Sequence, residues 1–197
     1  MFEFNFIRSN KLGKLRTSLK FVTKKSMMII KETERLYARE YRESDLKKLT
    51  EICKDDDVMR YIGMGGVMTT DQVQKMLNNF MRSYSEKGYG IYAVINKATG
   101  DLAGQCGLNY IKSLNEVEIA YLFEKESWGK GYATEISREI LNFGLTGIGL
   151  KKIVALAYPE NKASIKVINK IGLKFEKPIH IWERDLNYYS IEAKPDE

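Results

Sequence analysis

The stretch Trp128-Gly129-Lys130-Gly131-Tyr132-Ala133-Thr134 is where residue type and spacing first point to chemistry. It stands between a run that alternates like a strand and a run that repeats like a helix. Two glycines let a backbone turn tightly and come close to a ligand. The first turn of the helix offers unpaired N–H groups and the positive end of a dipole, which together suit a diphosphate. Lys130 adds a cation beside them. The same kind of junction also serves packing alone, and spacing does not separate the two readings. The dinucleotide fingerprint is excluded, because Thr134 stands where its third glycine belongs, and no GKS or GKT phosphate loop occurs.

Other chemistries find little support. His180 is the single histidine, which rules out a histidine-rich metal cluster within one chain, and it reads as a strand or loop residue near the C-terminus. No G-x-S-x-G elbow is present to build a nucleophilic triad. Cys53 and Cys106 lie far apart and form no CxxC pair, so no metal site is expected. Two buried free thiols in a reducing cytoplasm are the reading taken here.

The elements that must position the glycine turn fit a single domain. A chain of 197 residues, 44% hydrophobic and 29% charged, can bury one sizeable core. No apolar run approaches the roughly 18 residues that a membrane helix needs. The net charge of +6 resides in the first 30 residues, where seven basic residues face only Glu3, and the remainder is neutral. A basic nucleic-acid face on the domain is therefore not implied. Residues 1–28 read as a basic extension, either a transit peptide, a membrane-surface or nucleic-acid arm, or a tail upstream of a natural start at Met27 or Met28. The last is preferred, and nucleic-acid binding is expected only through that segment. The domain is placed at 29–197.

Within it, Arg35–Glu40 alternates as a strand. Ser44 or Asp45 caps a short helix carrying Leu46, Leu49, Ile52 and Cys53, which Asp55-Asp56-Asp57 ends. Glycines 63, 65 and 66 make a loop, and Thr69 with Gln72 forms a capping box for an amphipathic helix from Val73 to Tyr84. Ile91–Ile95 and Leu102–Tyr110 form a hairpin, and Val117–Phe123 is the clearest strand, with Glu118, Ala120 and Leu122 on one face. A helix from about Ala133 to Phe143 ends at Gly144, Gly147 and Gly149. A buried strand at Lys152–Ala157 precedes a last helix that Pro159 and Asn161 begin and Gly172 caps, and two strands follow near Leu173–Glu176 and Asn187–Ile191. This order predicts an α/β (α+β) domain with a mixed sheet of about six to seven strands and about four helices.

The residues Glu118-Ile119-Ala120-Tyr121, then Trp128 to Glu135, resemble the cofactor motif of the GNAT acetyltransferase superfamily, closest to the branch with the Rim-type ribosomal-protein N-terminal acetyltransferases. The run from Asn161 to Leu173, NKASIKVINKIGL, resembles that branch's second signature. The likeness covers roughly Ile30–Ile191. Trp128 departs from the superfamily pattern, which opens the motif with Gln or Arg, and so removes a cation from the phosphates. The resemblance implies a splayed parallel pair, Val117–Phe123 beside Lys152–Ala157, holding the pantetheine arm of acetyl-CoA as a co-substrate. It implies that Trp128, Gly129, Lys130, Gly131, Tyr132, Ala133 and Thr134 hold the pyrophosphate, with Trp128 and Tyr132 packing beside the turn. The amide of Leu122 or Phe123 then polarises the thioester carbonyl. Glu118 is the candidate base or a substrate anchor, Ser164 the donor to the leaving thiolate or a locally bonded helix residue, and Asn161 a cofactor contact, a helix cap or both. The expected partner is an amine acceptor, a protein N-terminus or a small molecule, and the expected assembly a monomer or homodimer. A non-catalytic CoA-binding sensor is the alternative. The Val73–Tyr84 helix and the glycine loop would wall the acceptor cleft, with Met64, Tyr89 and Tyr110 as candidate lining.

Overall fold

The computed structural model describes residues 29–63 and 65–193. The basic extension expected at 1–28, and Met64, lie outside the described residues. In chain order the strands are β1 (Ile29–Glu32), β2 (Leu36–Arg39), β3 (Ile91–Asn96), β4 (Leu102–Ile111), β5 (Glu116–Phe123), β6 (Lys152–Ala157), β7 (Lys174–Ile181) and β8 (Arg184–Glu192). The helices are α1 (Leu46–Cys53), α2 (Asp56–Met59), α3 (Thr70–Lys87), α4 (Tyr132–Asn142) and α5 (Lys162–Lys170).

One sheet runs β1-β2-β3-β4-β5-β6-β8-β7. Successive hairpins make every neighbouring pair antiparallel except β5 and β6, which the crossover through α4 makes parallel. Those two strands share a single register pair, Glu118 with Val154, and separate beyond it. The splayed pair inferred from the resemblance is therefore present.

Each face of the sheet has its own core. Ile136 and Ile140 of α4 and Ile168 of α5 pack against Ile119, Phe123 and Cys106 on one face. Leu49 and Ile52 of α1, with Val73 and Leu77 of α3, pack against Ile91, Ile95 and Leu122 on the other. The period-two pattern of β5 thus sends odd residues toward α4 and even residues toward α3. The buried Arg39 guanidinium grips Asp45 with two bonds of 2.7 and 2.8 Å, tying β2 to the start of α1. Cys53 and Cys106 are both buried free thiols. Among the described residues no helix is long and apolar enough to cross a membrane, and no cluster of ligating side chains could hold a metal.

The capping box is as expected: the Gln72 N–H donates to Thr69 Oγ1 at 3.3 Å and the Thr69 N–H to Gln72 Oε1 at 2.7 Å. Four expectations need correction. The sheet has eight strands, because the four-residue β1 is too short for periodicity to reveal. The first helix does end before Asp55, at Cys53, but the Asp55 carboxylate accepts the N–H groups of Asp57 and Val58 and caps α2, a fifth helix. Gly144 and Gly147 do not break α4, which runs on as a wider π-helical segment, Phe143–Ile148, and stops at Gly149 with φ 81°. At Gly144 a Cβ would lie 2.6 Å from Ile153 Cδ1, so that glycine permits close helix-to-sheet packing. Finally, β7 and β8 are longer than expected. Their turn uses Trp182 and Glu183 at φ 54° and 57°, without the usual Asn or Gly signal, and Pro178 is tolerated because β7 is an edge strand.

Candidate active site

At the point where β5 and β6 part, the Leu156 N–H of β6 and the side chain of Asn109 on β4 both favour the charged form of the Glu118 carboxyl. Asn109 stands directly across from Glu118 in the β4–β5 ladder. Glu118 still reaches solvent as a residue, but its carboxyl group is desolvated. Burial pushes its pKa from 4.5 to about 7, and the Leu156 amide and Asn109 only partly oppose that rise. A carboxyl near neutrality can take a proton at physiological pH.

On the opposite face of β5, the Tyr121 hydroxyl lies 2.9 Å from Ser164 Oγ and 3.0 Å from the Ser164 carbonyl oxygen. With the phenol donating to the carbonyl, Ser164 Oγ–H donates to the phenol. Burial raises the Tyr121 pKa, so the phenol stays protonated at neutral pH. Ser164 is in the first turn of α5, where its N–H donates to Asn161 Oδ1 at 3.1 Å. Asn161 is therefore the N-cap of α5, and its Nδ2 donors have no partner among the described residues.

The ladder also orients the amides of β5. Glu124 N–H donates to the Ala103 carbonyl at 3.0 Å. Counting back by the antiparallel alternation turns the Leu122 amide toward β4, and those of Tyr121 and Phe123 toward the open edge. Of the two amides considered for the thioester carbonyl, Phe123 faces the gap and Leu122 does not. The Phe123 carbonyl at that edge accepts the Trp128 indole N–H at 2.9 Å. Trp128 is otherwise 47% exposed, whereas Tyr132 is buried with Arg35 over its ring. Of the two aromatics expected to pack, only Tyr132 does; Trp128 instead ends the strand edge at the mouth of the gap.

Beyond Trp128, Gly129 and Gly131 adopt φ 73° and 81°, which favour glycine. The amides from Gly129 to Thr134 meet no acceptor among the described residues, and Gly131 caps α4 without a side-chain bond. Six consecutive unpaired donors at a helix start suit an anion. The chain fixes this end of α4 through Glu135, which accepts from Thr33 Oγ1 at 2.6 Å and from Arg35 Nε at 2.8 Å. Beside it a cleft of about 660 Å³ is lined by Gly131 and Thr134 together with Arg35, Arg138 and Lys170. Lys130 extends outward, its ammonium 6.0 Å from the Tyr132 ring.

A second cleft, of about 520 Å³, runs between α3 and the end of β4, and Asn109, Tyr110 and Tyr89 line it. One wall of this cleft is α3, and Tyr89 and Tyr110 line it. The glycine loop lies elsewhere: the Gly63 carbonyl accepts from the Tyr158 hydroxyl at 3.0 Å, which carries the loop across to the end of β6. Sequence reasoning missed Asn109 and the hydroxyl of Tyr121. The hairpin register holds the signal for Asn109, but Asn115 at φ 54° makes the turn irregular and hides the count. No sequence signal places α5 against Tyr121.

A mixed sheet opened at one parallel pair, with a carboxyl at the fork and a glycine-led helix start below it, defines a class of acyl-transfer folds. The sequence matches the family described as "Acetyltransferase (GNAT) domain" over residues 35–174, and the chain belongs to that family. It is 38% identical over 139 residues to the uncharacterized protein YkkB of Bacillus subtilis, spanning 68% of this chain and 78% of that protein. An acetyltransferase of the GNAT family from Bacillus anthracis superposes with a TM-score of 0.72 at 30% identity, covering 84% of this chain and 98% of that one. RimL, the ribosomal L7/L12 alpha-N-protein acetyltransferase solved with coenzyme A, superposes with a TM-score of 0.74 at 18% identity, covering 86% of this chain and 100% of RimL. At that identity RimL shares the fold. The recognition made from two short motifs is thus correct, and the chain is an acetyltransferase.

Proposed function

We propose that this enzyme moves an acetyl group from acetyl-CoA to a primary amine by direct attack on the thioester. The observation that carries the reading is the Glu118 carboxyl, poised near pH 7 at the single point where β5 and β6 meet. The acetyl donor supplies a thioester carbonyl and a thiolate leaving group. The free amides from Gly129 to Thr134 take its pyrophosphate, Asn161 Nδ2 contacts the arm, and the Phe123 amide meets the thioester oxygen. Glu118 accepts the proton that the amine sheds as the new C–N bond forms, directly or through a water. Ser164 Oγ–H then turns from the phenol to donate a hydrogen bond to the sulfur as the C–S bond breaks, while the Tyr121 phenol turns from the Ser164 carbonyl to donate to Ser164 Oγ and hold it in place. The coenzyme A bound by RimL supports the cofactor assignment.

The two roles fall on opposite faces of β5, so the amine approaches from the α3 side and the sulfur departs on the α5 side. An α-amine near pKa 8 needs less help than a lysine amine near 10.4, which makes a base of pKa about 7 adequate. The test is thiol release from acetyl-CoA across a panel of amines, with Glu118→Gln and Ser164→Ala beside the wild type. Release that requires an amine and falls in both variants supports the reading. CoA binding without amine-dependent release would refute it in favour of a sensor.

A further inference from the structure

The cleft beside Asn109 carries a charge pattern that bears on the acceptor. Its cations are Lys75, Arg82 and Lys87, all on α3, and among the described residues lining it Glu86 is the only acid. Glu86 is engaged by Arg82 at 3.6 Å, and Arg82 also donates to Asn79 at 2.9 Å. Lys75 and Lys87 form no ion pair among the described residues. Lys87 lies at the Asn109 end, its ammonium 5.4 Å from the ring of Tyr110. Lys75 lies twelve residues earlier on the same helix, about 18 Å away at the helical rise. An extended peptide covers that span in about five residues. The floor between them is apolar, with Met76 and Phe80. Glu118 does not line this cleft; it stands across the β4–β5 ladder from Asn109, which does.

We infer that the acceptor is the N-terminus of an acidic peptide, laid along α3 with its amine at Glu118 and its carboxylates at Lys87 and Lys75. This rests on the acetyl-transfer reading and adds the substrate class. A polyamine presents two or more cations to a cleft already carrying unpaired cations, which the charge pattern disfavours. A free dicarboxylic amino acid shares the chemistry but reaches only Lys87.

The experiment measures kcat/KM by thiol release with the full chain, at low salt, for four acceptors: a heptapeptide with acidic side chains at its second and seventh positions, about five extended residues apart, its Gln-substituted counterpart, free glutamate, and spermidine. The acidic heptapeptide is expected to exceed its neutral counterpart by roughly tenfold, with the margin shrinking as salt is added. Lys87→Gln and Lys75→Gln are each expected to narrow that margin, leaving the neutral peptide and the KM for acetyl-CoA unchanged. Sensitivity of glutamate to Lys87→Gln alone, with glutamate the best acceptor, would replace the peptide by the free amino acid. Preference for spermidine, or a margin indifferent to both lysines, would overturn the inference while leaving acetyl transfer intact. Absence of release with every amine would remove both.

Discussion

Replacing Glu118 by Gln should make the protein more stable while making it less active, and the gain should depend on pH. A carboxyl whose folded pKa lies above its unfolded value binds its proton more tightly in the native state. Such a group costs nothing at low pH, and stability is lost as pH rises from 4.5 through about 7. The separation of those two values corresponds to about 3 kcal/mol once the carboxyl is ionised in both states. Gln keeps the shape, accepts the Leu156 N–H through its carbonyl, and lets the Asn109 amide flip to meet its NH₂ group. It removes only the cost of the buried charge. At pH 8 the variant should therefore exceed the wild type by about 3 kcal/mol, which for a domain of this size is roughly 6–12 °C in melting temperature. At pH 4 the two should nearly coincide. Differential scanning fluorimetry from pH 4 to 8, backed by urea titrations at both ends, measures this directly. A stability difference independent of pH, or a variant less stable at pH 8, would show that Glu118 is ordinarily ionised in the fold and that its poise for catalysis is misjudged.

The same shift predicts that kcat/KM rises with pH on an apparent pKa near 7, and that Glu118→Gln abolishes this limb of the pH–rate profile. Ser164→Ala and Tyr121→Phe should each lower kcat by roughly tenfold to a hundredfold, with the double variant scarcely worse than Ser164→Ala, because the hydroxyls act as a unit; stopped-flow thiol release reads this, and additive losses would separate them. Gly131→Ala places a Cβ at φ 81°, at a cost of about 1–2 kcal/mol, and should raise KM for acetyl-CoA far more than for acetyl-pantetheine, which lacks the nucleotide. Arg39→Met strands the buried Asp45 carboxylate and should destabilise the fold by about 3–5 kcal/mol in urea titrations, whereas Arg39→Met with Asp45→Leu should recover much of that loss.

What the sequence revealed, and what it hid, follows from the range of the forces involved. The capping box at Thr69, the alternation of β5 and the glycine-led start of α4 are local events, written within a few residues of each other. Glu118 could be flagged because alternation put it among Ala120 and Leu122, on a face that becomes the α3 core. Its pKa, however, depends on Leu156 and Asn109, which only the register of two strand pairs brings near. Tyr121 was visible as a strand residue but not as a hydroxyl against Ser164, because the packing of α5 is set by Ile168 against the sheet. In the sequence Trp128 replaces a phosphate-facing cation by a packing group. Its bond to the Phe123 carbonyl is a contact to the edge of a strand, and nothing in its own neighbourhood announces it.

That edge contact connects the parts of the site. Beyond Glu118 the β5 edge loses its partner strand, so the carbonyls and amides facing the gap have no ladder to satisfy them. The Trp128 indole satisfies the Phe123 carbonyl at the far end, and the Glu118 carboxylate satisfies the Leu156 amide at the near end. Between these two stops the Tyr121 and Phe123 amides remain, spaced as an added extended chain would need them. A Trp128→Phe variant should consequently free one carbonyl and let the edge fray. Acetyl-CoA should then bind more weakly without any phosphate contact being lost, and the weakening should persist with acetyl-pantetheine. The Gly131→Ala variant should show the reverse preference. If both variants penalise the two donors equally, the strand edge and the helix start do not act as separate binding elements, and the division of the site into an arm-holding edge and a phosphate-holding turn is wrong.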